Sequence, residues 1–213
     1  MICSPSFLSC DFTKLESEIL SINEAKWLHF DVMDGIFVPN TTYKHEILMK
    51  IKKFSNQFFD CHLMIAEPEK HYQDYIDAGA DLITFHYEAT ENSLELIKAI
   101  KSKGIKVGIS IKPDTDVTVL NEYLDQLDLI LIMSVEPGKG GQKFITNSLN
   151  KIKYLSDIRI KKGYNYLIEV DGGINFDTAK LVKEVGNDVI VVGSFIFNKV
   201  KRNELVRELE NVW

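Results

Sequence analysis

Short runs of apolar and β-branched residues alternate along this chain with longer stretches in which apolar positions recur every three or four residues. The first pattern reads as buried strands, the second as amphipathic helices. Ile2 to Ser6 is the first predicted strand. Thr13 to Ala25 is a predicted helix, with Leu15, Ile19 and Ile22 at helical spacing and Asp11 placed to cap it. The next strands fall at Leu28 to Met33, Phe58 to Ile65, Leu82 to His86, Lys106 to Ile111, Leu129 to Met133, Tyr166 to Val170 and Val189 to Val192. Helices are predicted over His45 to Phe54, from Glu67-Pro68-Glu69 to Ala78-Gly79, and over Ser93 to Lys103. Further helices follow over Val117 to Leu124, Ile145 to Ile160, Phe176 to Val185 and Glu204 to Val212. Pro68 sits in a first turn, where its missing N–H is harmless. Gly104, Gly163 and Gly186 stand where helices stop.

Each predicted strand is thus followed by a predicted helix, and strict alternation of this kind argues for a parallel sheet. Eight such units in 213 residues fit an α/β fold of the closed (β/α)₈ TIM-barrel type, in a single domain over residues 1–213. An open doubly wound sheet would place its site at one switch point. Here polar residues recur at the ends of most strands instead.

Composition narrows the function. With 45% hydrophobic and 26% charged residues the chain is of ordinary globular type. No apolar run is long enough to span a bilayer. Cys3, Cys10 and Cys61 form no metal-type pair, and an odd count argues against a disulfide framework; a reducing, cytoplasmic setting is expected. A net charge of −6 speaks against a nucleic-acid partner and leaves any anionic ligand to local donors.

The candidate chemistry starts at Trp27-Leu28-His29-Phe30-Asp31-Val32-Met33-Asp34-Gly35. Alternation along a strand puts His29, Asp31 and Met33 on one face, so one cation is within reach of His29 and Asp31. A structural reading, a buried His bonded to a buried Asp, is equally open for this stretch alone. Asp60-Cys61-His62-Leu63-Met64 repeats the His-x-Met rhythm, and Asp171 ends the seventh strand. Two His and two carboxylates suit Zn²⁺, Mn²⁺ or Fe²⁺. Met33, Met64 and Met133 each end a strand and are expected to line the space above the ion, His86 and Glu169 to lie behind it or in the packing. The loop Glu136-Pro137-Gly138-Lys139-Gly140-Gly141-Gln142 has the glycine content of a lid. Gly172-Gly173 and Gly193-Ser194 follow strands seven and eight, whose loops commonly hold phosphate through backbone N–H groups. No Arg lies nearby.

These motifs resemble those of the ribulose-phosphate 3-epimerase family along essentially the whole chain. The matching stretches are Ser4 to Ser9, His29 to Asn40, Asp60 to Met64, Met133 to Gln142, Val170 to Asn175 and Gly193-Ser194. The resemblance implies that His29, Asp31, His62 and Asp171 bind one divalent ion per subunit (zinc, iron, manganese or cobalt), with Asp31 and Asp171 also forming the acid-base pair. It implies substrate contacts from Ser6, His62, Gly138, Lys139, Gly140, Gly141, Asp171, Gly172, Gly173, Gly193 and Ser194. A sugar phosphate is the implied small-molecule partner, without nucleic acid or membrane, and a homo-oligomer is expected. The chain departs from the family at Lys139, where an aromatic is usual, at Thr41 to Glu46, which replace a Gly-Pro-containing helix start, and at Cys10, often Ala.

The implied reaction is inversion at C3 of D-ribulose 5-phosphate to D-xylulose 5-phosphate, a pentose phosphate pathway step, by two-aspartate proton transfer through a metal-stabilised cis-enediolate. The alternative is epimerisation of a six-carbon ketose phosphate such as allulose 6-phosphate. Metal-independent decarboxylase and aldolase relatives on similar barrels carry Asp-x-Lys-x-x-Asp at a strand end; His29 to Asp34 has no lysine. A sugar-phosphate binder without catalysis would have no reason to keep all four ligand-type residues.

Overall fold

A computed structural model describes residues 1–212. Eight strands form one parallel sheet in the order β1-β8-β7-β6-β5-β4-β3-β2: β1 (Ile2–Pro5), β2 (Trp27–Met33), β3 (Phe58–Met64), β4 (Leu82–His86), β5 (Lys106–Ile111), β6 (Leu129–Met133), β7 (Leu167–Asp171) and β8 (Val189–Val192). A parallel bridge between Ser6 and His29 joins β1 to β2 and brings the two ends of the sheet together. The helices are α1 (Leu15–Leu20), α2 (His45–Ile51), α3 (Tyr72–Asp77), α4 (Ser93–Ser102), α5 (Ser148–Lys162), α6 (Phe176–Glu184), α7 (Ser194–Phe197) and α8 (Arg202–Glu210). This is the single-domain (β/α)₈ barrel that the alternation predicts.

Alternating strand positions divide the barrel into two cores. Leu28, Phe30 and Val32 face out and pack in one core with Ile19, Leu48 and Ile51 of the surrounding helices and Ile22 of the turn after α1. Each such fully buried aliphatic side chain is worth about 1.5–3 kcal/mol. The other strand face turns inward. Near the strand starts it forms an apolar plug from Trp27, Phe58, Leu82, Leu129 and Leu167, with the Trp27 and Phe58 rings stacked at 4.4 Å. Toward the strand ends the same face becomes polar: His29, Asp31, Asp60, His62, Thr84, His86, Ser110 and Glu169 are all buried. The plug closes one end, so the chemistry opens only at the other.

The helices differ from expectation at several points. The first is short: a 3₁₀ turn at Phe12–Lys14 precedes Leu15–Leu20, and the Asp11 side chain accepts from the Thr13 N–H of that turn. The helix predicted from Glu67 is broken into a 3₁₀ turn at Pro68–Lys70 and the short α3. Ile145 to Asn147 stay outside α5, which runs on to Lys162 and stops at Gly163 in the left-handed region. After β5 there is no α-helix, only a 3₁₀ turn at Val117–Leu120. Lys151 of α5 fills that role: its buried Nζ donates to the carbonyls of Lys112, Pro113 and Thr115. The four-residue α7 was not expected, because Phe195-Ile196-Phe197 reads as an apolar run too short to show a helical period.

Candidate active site and metal centre

At the open end of the barrel lies a cavity of about 440 Å³, lined by Ser6, Asp31, Met33, Met64, Met133 and Asp171 below and by the loops after β6, β7 and β8 around its rim. His29, Asp31, His62 and Asp171 each offer a ligand atom, and these atoms all lie within 4.8 Å of one another. Register explains the convergence. His29 pairs with Asp60 and Asp31 with His62 across β2 and β3, so two inward positions on each strand meet side by side. Asp31 Oδ1 is 3.4 Å from both His29 Nε2 and His62 Nδ1.

The residues fit a divalent ion. His29 Nε2 and His62 Nδ1 are buried and, among the described residues, have no hydrogen-bond partner. Buried polar atoms without partners are rare in folded proteins, and a bound ion is one of the things that account for them. Two imidazole nitrogens and two carboxylates turned toward one point make a donor set for a borderline transition metal or zinc.

His86 and Glu169, expected behind the ion or in the packing, stand behind these side chains together with Asp60 and Glu88, to which the sequence assigns no role. His29 Nδ1 is 2.6 Å from Asp60 Oδ2, and Glu169 Oε1 stands 3.9 Å from the same nitrogen. His62 Nε2 lies 2.9 Å from His86 Nε2, and His86 Nδ1 lies 3.3 Å from Glu88 Oε2. Ser6 Oγ donates to Asp31 Oδ2 at 2.5 Å. Ser134 pins the end of β7, its N–H and Oγ–H both donating to the Asp171 carbonyl at 2.8 Å.

The two aspartates differ electrically. Burial alone would raise Asp31, but the charge of His29 and the close approach of the His29 and His62 rings outweigh it and hold the carboxyl well below the usual range. Asp171 goes the other way: burial first, then the Asp31 charge, push it up to about 7. Burial would lower His29, yet the neighbouring Asp60 and Asp31 carboxylates carry it well above its ordinary value. Burial lowers His62.

The rim is built from glycine-rich loops. Gly172 and Gly173 both have positive φ, and a Cβ on Gly173 would lie 2.5 Å from the Phe144 backbone nitrogen; no other residue fits there. The loop from Glu136 is stapled from two sides: Asn40 Nδ2 donates to the Gly138 carbonyl at 2.6 Å, and Gln142 Nε2 donates to the carbonyls of Glu136 and Lys139. Gly138, Lys139, Gly140, Gly141, Gly172, Gly173, Gly193 and Ser194 all line the cavity, with Met33, Met64 and Met133. His62 does not line it and lies beneath. The rim also holds Asn198 and Lys199, which the sequence reading passed over. Lys201 and Arg202 nearby are engaged, by Glu204 at 2.9 Å and Glu18 at 3.0 Å. Lys199 has no side-chain partner among the described residues. Backbone amides are therefore not the only donors for an anion.

Comparison with known proteins places this architecture. The sequence model described as the Ribulose-phosphate 3 epimerase family matches residues 2–197. The Ribulose-phosphate 3-epimerase of Treponema pallidum is 42% identical over 207 residues, 96% of this chain and 95% of its own. That of Bacillus subtilis is 41% identical over 209 residues, 97% and 96% of the two chains. Among solved structures, 3-hexulose-6-phosphate synthase from Salmonella typhimurium superposes with a TM-score of 0.71 at 18% identity, over 100% of this chain and 98% of that one. This last likeness speaks for the barrel alone.

Proposed function

The chain belongs to the ribulose-phosphate 3 epimerase family, and from that premise we propose a metal-assisted inversion at C3 of D-ribulose 5-phosphate, giving D-xylulose 5-phosphate. The observation that carries the metal reading is the pair of unpartnered nitrogens, His29 Nε2 and His62 Nδ1, both 3.4 Å from one oxygen of Asp31. A divalent ion held by His29, Asp31, His62 and Asp171 supplies Lewis-acid stabilisation of negative charge developing on the sugar oxygens next to the reacting carbon.

The side chains do the rest. Inversion takes a proton from one face of C3 and delivers one to the other, so two carboxyls must stand on different strands with different proton occupancy. Asp31 on β2 is the ionised partner, held so by His29 and His62 and oriented by the Ser6 hydroxyl. Asp171 at the end of β7 is the carboxyl whose affinity for a proton lies near neutrality. One accepts the C3 proton and the other donates; in the reverse reaction the roles exchange. Met33, Met64 and Met133 keep water from the enediolate and offer no proton of their own. Lys199, Ser194 and the backbone of Gly172, Gly173 and Gly193 take the phosphate, with the Gly138–Gly141 loop closing above.

The test is a coupled assay on D-ribulose 5-phosphate with the metal content of the same preparation measured beside it. Turnover that follows metal content supports the proposal; turnover in a metal-free preparation rejects it. The six-carbon reading keeps every residue named above, and kcat/KM on the two sugars decides between them. Multimeric assembly of the chain belongs to this reading too.

A further inference from the structure

His62 can serve as a ligand only if its Nδ1 carries a lone pair and its proton sits on Nε2, and nothing in the imidazole itself dictates that choice. The surroundings do. His62 Nε2 lies 2.9 Å from His86 Nε2. Two N–H groups cannot face each other, nor two lone pairs, so one ring donates and the other accepts. The next link decides which. His86 Nδ1 lies 3.3 Å from Glu88 Oε2, and an ionised carboxylate only accepts. His86 must donate from Nδ1, which leaves its Nε2 as acceptor. His62 must then donate from Nε2, and its Nδ1 is left bare toward Asp31 and the ligand cluster.

Glu88 is itself committed as an acceptor. Its Oε1 takes the Lys112 N–H at 2.7 Å and the Thr115 hydroxyl. Burial would raise its pKa, but bonds from His86, Thr115 and Lys112 bring it down to about 2. The loop that supplies two of those donors is clamped by Lys151. Phe37 packs on the His86 ring with centroids 4.8 Å apart, and Lys112 Nζ covers Phe37 at 4.1 Å. His62 and His86 are fully buried, so water has no access to offer a second set of bonds.

We propose that Glu88, which is outside the cavity lining and the ligand cluster, is a positioning residue for the cation: through His86 it fixes the His62 tautomer that leaves Nδ1 free to coordinate. This rests on the metal-binding reading above. The His29 ligand has its own direct carboxylate in Asp60; the His62 ligand has a relay of two residues instead. The relay also ties the metal site to the loop after β5, the one loop of the barrel that leads to no α-helix.

Glu88→Gln is the informative variant. The amide has a single acceptor oxygen for two obligatory N–H donors, Lys112 N–H and His86 Nδ1–H, which meet opposite oxygens in the native protein. If its NH₂ turns to His86, the relay inverts, placing a proton on His62 Nδ1. The test uses ¹⁵N-labelled full-length protein without metal, reading histidine tautomers from the ring-nitrogen shifts, together with calorimetric titration of Zn²⁺. In the native protein His86 is expected protonated on Nδ1 and His62 on Nε2. In Glu88→Gln that pattern is lost, and Zn²⁺ binds about 10–100-fold more weakly. Native tautomers together with native Zn²⁺ affinity in Glu88→Gln would overturn the proposal. So would a native protein in which His62 carries its proton on Nδ1, a result that stands even if the variant fails to fold. Failure of the native protein to bind Zn²⁺, Mn²⁺ or Co²⁺ would instead reject the metal reading on which it rests.

Discussion

His29 Nδ1 and Asp60 Oδ2 stand 2.6 Å apart, and both side chains are fully buried. A carboxylate on the far nitrogen of a ligating imidazole fixes its tautomer and raises its basicity, and removing it commonly costs 10–100-fold in metal affinity. Asp60→Asn is therefore expected to weaken Zn²⁺ binding by about that factor, measured by competition with a chromogenic chelator. Unchanged affinity would show that Asp60 serves packing alone.

Asp31 and Asp171 are expected to be indispensable for a different reason. Replacing either by Asn keeps shape and removes the exchangeable proton site. Turnover should fall by at least about 10²–10⁴-fold, the usual contribution of a positioned acid or base. The far-ultraviolet circular dichroism spectrum should not change. Near-native turnover in either variant would dismiss the two-carboxylate scheme.

The cluster of His29, Asp31, His62 and Asp171 was legible in part because strand alternation is a local rule: His29 and Asp31, two apart, had to share a face. Asp60 was in plain view beside His62 but had no assigned role. Its partner depends on the register between β2 and β3, which sets His29 opposite Asp60, and register is not written in either strand alone. Glu88 was hidden for the same reason, being two links from the cluster through His86. The helix expected at Val117 to Leu124 failed because apolar spacing there is satisfied by a 3₁₀ turn capped by Asp116, with Lys151 covering the loop carbonyls from outside. Lys199 carried no sequence signal at all. What marks it is that Lys201 and Arg202 are ion-paired and, among the described residues, it is not, a fact of three-dimensional pairing.

Lys199 supplies the next expectation. Among the described residues its ammonium has no anionic partner, and it lines the cavity beside Ser194 and Asn198. One charge-assisted contact to a phosphate is worth roughly a tenfold change in binding. Lys199→Gln should raise KM for the sugar phosphate by about that factor with little change in kcat, and weaken inhibition by inorganic phosphate in parallel. A fall in kcat at constant KM would place Lys199 outside the phosphate subsite.

Acid stability should report Glu88. Its carboxyl is held at about 2 in the fold, against an ordinary value of 4.5. A lowered folded-state pKa means that the unfolded chain binds the proton more readily. The stabilisation is thus fully present above the ordinary value and is lost as pH falls from there toward 2. The urea midpoints of the native protein and Glu88→Gln should differ most near pH 6 and converge toward pH 3. A gap independent of pH across that range would show that Glu88 does not titrate as described.

The decisive measurement is proton exchange at C3. The native enzyme, stripped of metal and verified so by elemental analysis, is mixed with D-ribulose 5-phosphate in deuterated water and followed by NMR before and after a divalent ion is restored. The expected result is no change in the stripped protein, then appearance of D-xylulose 5-phosphate carrying deuterium at C3 once the ion is added. Full conversion by the stripped protein, or restored metal without any exchange at C3, would contradict a cation held by His29, Asp31, His62 and Asp171 at the centre of the chemistry.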